Sequence, residues 1–328
     1  MKKLLFISTL LLISFLQFSC NSEGITNNAP TTNPVDVYVA GSKDGQACYW
    51  KNGQVVMLDS GNFNSSNVIK IIVSNNNVYA FGGGTITNVK GYSLFWKNGV
   101  LHNLEVELNT ENYSYISIRD MEIYNDNVYF LGSYYINPGI ASIAFWKNGV
   151  KNIIGSGSTD YQNPSFKVYN NDVFVSVYIA NVGNDGYFKN SVYYTLPNSY
   201  INGFAVNNND VYTYGRNSND GFYLNTSTNL NNTISFPANN DITNLSFDNG
   251  NIYYSTFDEI YKNSSLINSV ANPTTDEVID FEVLNNNVYN LKLEKTQNGY
   301  EQKTYLNNIE IQSALQGENF VTLFIVQN

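Results

Sequence analysis

Residues 75–101 read Asn-Asn-Asn-Val-Tyr-Ala-Phe-Gly-Gly-Gly-Thr-Ile-Thr-Asn-Val-Lys-Gly-Tyr-Ser-Leu-Phe-Trp-Lys-Asn-Gly-Val-Leu. Two tight turns punctuate this run. Asn75-Asn76 and Asn98-Gly99 both tolerate the positive φ that a two-residue β-hairpin demands at its centre, and Asn-Gly is the strongest short hairpin signal. The segments around them are rich in β-branched and aromatic residues, the composition of half-buried strands. The unit therefore reads as four strands, Ile69 to Ser74, Val78 to Gly82, Tyr92 to Lys97 and Val100 to Leu104, named A to D from the inside outward.

Two landmarks of this unit recur along the chain in strict alternation. The first is a β-branched residue followed by an aromatic: Val37-Tyr38, Val78-Tyr79, Val128-Tyr129, Val173-Phe174, Val211-Tyr212, Ile252-Tyr253 and Val288-Tyr289. The second is an aromatic, usually Lys, then Asn: Trp50-Lys51-Asn52, Trp96-Lys97-Asn98, Trp146-Lys147-Asn148, Phe188-Lys189-Asn190, Tyr223-Leu224-Asn225, Tyr261-Lys262-Asn263 and Tyr305-Leu306-Asn307. Intervals in the first series are 41, 50, 45, 38, 41 and 36 residues, the span of a four-stranded propeller blade. The predicted fold is all-β, a seven-bladed β-propeller of four-stranded antiparallel blades.

The first landmark has no A strand before it, whereas the chain ends in Asn319-Phe320-Val321-Thr322-Leu323-Phe324-Ile325-Val326, an A-type strand with no B strand after it. Residues 319–327 are therefore expected to complete blade 1 beside Val37 to Gly41, closing the ring and removing its open edges. A transmembrane barrel also alternates strands and turns, but two distinct hairpin types in a four-strand period argue against one.

Lys2-Lys3, an apolar stretch from Leu4 to Phe15, and Ser19-Cys20 form a charged region, a short hydrophobic region and a small residue before cysteine. That is a secretory signal, too short to span a bilayer. The cysteine resembles the lipobox of bacterial lipoproteins, with Gln17 where the common pattern has Leu. Residues 1–19 thus read as a lipoprotein signal peptide, 20–34 as a lipidated flexible tether without apolar periodicity, and 35–328 as the propeller. Lipid on Cys20 would make the membrane a partner, each buried methylene contributing about 0.8 kcal/mol. Asn21 follows the cysteine in place of the aspartate that resembles an inner-membrane retention signal, so the expected location is the outer membrane, its face left open. Cys48 is then unpaired and, in the run Ala47-Cys48-Tyr49-Trp50, reads as a small core residue.

The Val-Tyr-Val-Ala-Gly run at 37–41 and the Trp-Lys-Asn-Gly runs of the first three units resemble a repeat of secreted and surface lipoproteins of Bacteroidetes-type bacteria. The resemblance covers residues from about 36 to the end, most closely to about 150. It implies a propeller and no particular substrate.

Composition excludes more chemistry than it suggests. The net charge is −10 and becomes −12 once Lys2 and Lys3 leave with the signal peptide. With only Arg119 and Arg216 as arginines, nucleic acid is excluded as a partner. His102 is the sole histidine and reads as a surface residue of an outer strand. No nucleophile elbow or His/Cys metal set is present. Sialidase-like propellers clamp a carboxylate with three arginines, one more than this chain has. Ser42-Lys43-Asp44-Gly45 and Ser218-Asn219-Asp220-Gly221 approach an Asp-box with the glycine one position early, and read as turns. Asn184-Asp185-Gly186 and Asn219-Asp220-Gly221 also read as turns, with structural calcium as the alternative; no cofactor is otherwise expected.

The loops joining B to C and D to the next A share one propeller face and run long at 82–91, 105–115, 133–142 and 155–164. They carry Tyr113, Tyr134, Tyr135 and Tyr161, candidates either to stack on sugars and anchor a protein partner or to pack the loops onto the blades. The leading expectation is a non-catalytic binding or scaffold module for a glycan or protein. The alternatives are a glycan-active enzyme using paired carboxylates and an accessory of envelope assembly.

Overall fold

The computed structural model describes residues 34–87, 91–110, 115–135, 141–158, 161–162, 164–179, 184–218, 220–235 and 241–327. Cys20, the leader and most of the tether lie outside them. Among the described residues the chain from Val35 to Gln327 forms seven antiparallel sheets. The innermost A strands are Glu318–Gln327 in blade 1, then Ser65–Ser74, Tyr115–Tyr124, Phe166–Tyr169 preceded by the short Tyr161–Gln162, Ser199–Asn207, Asn244–Asp248 and Glu277–Leu284. Blade 1 is built from both chain ends: Glu318–Gln327 pairs with Val35–Lys43, which leads to Gln46–Lys51 and Gln54–Met57. The closing strand is the one the sequence indicates.

The two landmarks are register partners. Tyr38 sits opposite Lys51, Tyr79 opposite Lys97 and Tyr129 opposite Lys147, each ammonium 5.4 Å from the ring centroid. The neighbouring asparagine clamps the start of strand B. Asn98 holds φ at 52°, its Oδ1 accepts from the Val78 amide at 2.9 Å, and its own amide N–H donates to the Val78 carbonyl at 2.8 Å. Asn52, Asn148, Asn190, Asn263 and Asn307 repeat the side-chain bond on Val37, Val128, Val173, Ile252 and Val288. In blade 5 Thr226 takes the place, donating through Oγ1 to the Val211 carbonyl at 2.9 Å. Outside blade 5 the strand-C turn thus supplies a donor and an acceptor to strand B just where its ladder would otherwise end.

Hydrophobic residues gather in the gaps between successive blades. Tyr38, Leu58, Val68, Ile71 and Trp96 fill the wedge between blades 1 and 2, and Phe81, Phe95, Met121, Phe130 and Trp146 that between blades 2 and 3. The seam between blades 7 and 1 holds Cys48, Trp50, Leu291, Phe320 and Leu323. Phe320 is fully buried and meets Trp50 edge-on at 4.6 Å between centroids.

A β-bulge recurs in the A strands. The register shifts by one residue at Ile69, Arg119, Asn202, Ile279 and Val321. An extra residue re-aims the side chain that follows, and Lys70, Asp120, Asp280 and Thr322, each one past a bulge, line the central channel. The bulged backbone presses on strand B. A Cβ on Gly41 or Gly82 would lie 1.8 or 1.9 Å from the carbonyl oxygen of Asn319 or Asn67, so the glycine closing Val-Tyr-Val-Ala-Gly is a requirement of close approach.

Candidate functional site

Two concavities stand out among the described residues. The larger, about 790 Å³, opens on the face of the B–C and D–A loops, over blade 2 and its contacts with blades 1 and 3. Ser65–Ser74 and Gly91–Lys97 begin there, Asn77–Thr85 ends there, and the strand Val100–Asn103 turns there into the short helix Leu104–Glu107. Asn103 caps that helix, its Oδ1 accepting from the Glu105 amide at 3.0 Å. Leu104 and Leu108, both buried, give the pocket an apolar floor with Ile118. Its walls are small: Gly83, Gly84 and Gly91 on one side, hydroxyls and amides on the other. Ser65 Oγ and Thr85 Oγ1 share a 2.7 Å hydrogen bond, and the Ser93 hydroxyl donates to the Ile118 carbonyl at 3.4 Å. Among the described residues Glu105 is the one acidic lining residue, and no lysine or arginine lines the pocket.

The second concavity, about 600 Å³, is the channel between the A strands. Lys70 reaches Asp120 at 2.8 Å and Glu122 at 3.0 Å, while Lys167 approaches the other Glu122 oxygen at 3.2 Å. Burial alone would lower the Lys70 pKa, but the two carboxylates outweigh it and hold the ammonium charged. Burial likewise works against ionised Glu122, and the two lysines override it, so its carboxyl sits below the usual range. The opposite wall differs. Asp280 accepts from Asn244 at 3.1 Å, Thr322 at 2.9 Å and the Leu323 amide at 3.0 Å, yet burial still raises its pKa. Glu282 lines the same wall, and burial, reinforced by the Asp280 charge, pushes its carboxyl up to about 8.

Neither Tyr134 nor Tyr135 lines either cavity. Tyr134, expected on an exposed loop, is 1% exposed: strand B of blade 3 runs on to Tyr135, and Tyr134 packs edge-on against Trp146 at 6.2 Å. The alternation of Phe130, Gly132 and Tyr134 continues the buried face past the point where glycine suggested a loop. Tyr135 is half-buried against the cluster between blades 3 and 4. Tyr161 pairs through its backbone with Ile179, and Tyr113 lies outside the described residues.

The other motifs resolve as structure. Asp44 and Gly45 form the B–C turn of blade 1 with φ of 50° and 80°. Asn184-Asp185-Gly186 and Asp220-Gly221, read as turns, are instead the first residues of C strands. Among the described residues no three His, Cys, Asp or Glu side chains cluster to hold a metal. His102 packs on Phe95 and pairs with Glu107 at 2.5 Å. Cys48 is fully buried, and burial, with Glu318 nearby, pushes its thiol up to about 12. The pocket itself was not anticipated, because glycine and serine carry no signal of their own beyond the Gly82-Gly83-Gly84 run.

No protein-family model and no curated protein matches the chain. Solved structures do. Acylaminoacyl peptidase from Pyrococcus horikoshii aligns with a TM-score of 0.51 at 10% identity, over 85% of this chain and 50% of that one. The β-propeller domain of the Trilobed protease from Pyrococcus furiosus aligns over 88% of this chain and 97% of its own at 12% identity, TM-score 0.46. The computationally designed Ika8 protein aligns over 77% and 76% at 16% identity, TM-score 0.47. The chain spans about half the length of the first of these, and at such identities the likeness is one of fold. The chain is a seven-bladed β-propeller.

Proposed function

We propose that this propeller is a non-catalytic binding module, held at the outer membrane by lipid on Cys20 and engaging its ligand on the face of the B–C and D–A loops. The observation that carries the reading is the pocket of about 790 Å³ on that face, within the size range of small-molecule sites. Its chemistry favours binding over turnover. Glycoside hydrolysis calls on two carboxyl groups flanking the bond, and among its described residues this lining offers Glu105 alone. The channel carboxylates Asp120 and Glu122 are engaged by lysines.

Two measurements test the two halves of the proposal. Cys20→Ala should give a folded protein released by cell disruption, whereas the unaltered chain fractionates with outer membranes; membrane retention of the variant refutes the anchor. Photo-crosslinkers placed at Ser42 and Ser117, on the pocket rim, should capture a ligand from intact cells that the same crosslinker at Val192, on an outer strand, does not. Equal labelling from both positions refutes the loop face as the binding surface.

A further inference from the structure

The pocket's lining narrows the ligand to one chemical class. Resting on the binding reading above, we infer that the pocket over blade 2 takes a neutral saccharide. Three of its polar side chains, those of Ser42, Asn67 and Ser117, make no hydrogen bond to any described residue although each is partly buried. Partly exposed, these amide and hydroxyl groups keep their hydrogen-bonding capacity open to whatever enters the cavity. Hydroxyls and a carboxamide both donate and accept, which matches a ligand whose own groups do the same.

The remaining walls exclude the other classes. Among the described residues of the lining an anion would find no lysine or arginine, and a dication would find only Glu105. A purely apolar ligand would seal the three polar side chains away from water without partners, a loss at each one. An amphipathic ring fits, because the floor formed by Leu104, Leu108 and Ile118 and the ring of Tyr92 are apolar while the rim is hydroxylated. The glycines let such a ring approach the backbone. A Cβ on Gly91 would meet nothing nearer than the Gly84 carbonyl oxygen at 3.9 Å.

The test is binding of the full mature chain to neutral methyl hexosides, methyl N-acetylhexosaminides and their oligomers, beside uronic-acid and sialylated glycans and a peptide library, by glycan array and titration calorimetry. The expected result is saturable binding of at least one neutral saccharide. Asn67→Ala, which removes no internal bond, should weaken it several-fold, up to about tenfold, the worth of one neutral hydrogen bond. Gly91→Trp should abolish it with an unchanged melting temperature. Binding of only anionic glycans or peptides, lost in Gly91→Trp, overturns the saccharide and leaves the binding module standing. Saccharide binding untouched by either variant, or no binding by any of these compounds, overturns the assignment of this pocket.

Discussion

Glu282 should make the protein lose stability as pH rises through neutrality. Its carboxyl, ordinarily titrating near 4.5, is pushed up to about 8 by burial in the channel and by Asp280 two residues away on the same strand. The facing charges are Lys167 on blade 4, already bonded to Glu122, and the Lys70–Asp120–Glu122 cluster. A carboxyl whose folded pKa is raised favours the folded state only while protonated. Below about 4.5 both states hold the proton and nothing changes. Between about 4.5 and 8 the unfolded chain releases it and the folded one does not, so stability falls; above 8 the loss is complete. Each tenfold change in acidity is worth about 1.4 kcal/mol, which gives an upper bound of about 5 kcal/mol. Water in the channel screens the charge, so about 2–3 kcal/mol is expected. At this chain length that is about 4–12 °C in melting temperature. Thermal denaturation from pH 5 to 9.5 should show this decline in the unaltered protein and a flatter profile in Glu282→Gln, the two curves diverging as pH rises. Parallel curves would refute the assignment of the proton to Glu282.

Three further outcomes follow from the packing. Truncation after Gly317 removes the A strand of blade 1. Phe320→Ala alone should cost about 3–5 kcal/mol as a large-to-small change in a sealed wedge, enough to make the truncated chain aggregate or yield to protease. A cooperative melt near the full-length temperature would mean that the strand does not close the ring. Asn98→Gly keeps the turn's positive φ but deletes the clamp on Val78, and should cost about 1–2 kcal/mol by urea denaturation; a loss below a few tenths would show the clamp to be ornamental. Cys48 should resist iodoacetamide in the native protein and react after denaturation, as a buried thiol must; rapid native labelling would contradict its placement between Trp50 and the closing strand.

The features that could be read from the sequence are those in which one residue type has one physical task. Asn at positive φ marks the A–B hairpins at Asn75, Asn125, Asn170, Asn208, Asn249 and Asn285, and the Val-Tyr and Lys-Asn landmarks of blades 2 and 3 alternate because each pair is hydrogen-bonded within its blade. The glycine of Val-Tyr-Val-Ala-Gly belongs to a repeat, but its cause, the bulged A strand pressing on it, comes from the far end of the chain and leaves no local signal. The pocket was missed for a related reason: Gly83, Gly84 and Ser117 matter by the space they leave. Of the two roles open to Tyr134, packing is the one seen, because strand B of blade 3 runs on past Gly132 and Ser133, small residues that also suit a loop. The channel cluster gathers Lys70, Glu122, Lys167 and Glu282 from four blades, a convergence set by ring geometry and invisible to local spacing.

The shared sheet of blade 1 also orders events in time. Lys43 and Glu318, joined across it at 3.0 Å, stand 275 positions apart, so their meeting is among the longest-range contacts a chain of this size can make, and such contacts form slowly. A chain synthesised from its N-terminus can finish six blades while Val35–Lys43 still waits with a bare edge. Only the last ten residues of strand cover it. A product terminated early by a nonsense codon or a stalled ribosome thus carries a permanent mark of its incompleteness, an unpaired edge that proteases and chaperones are built to notice.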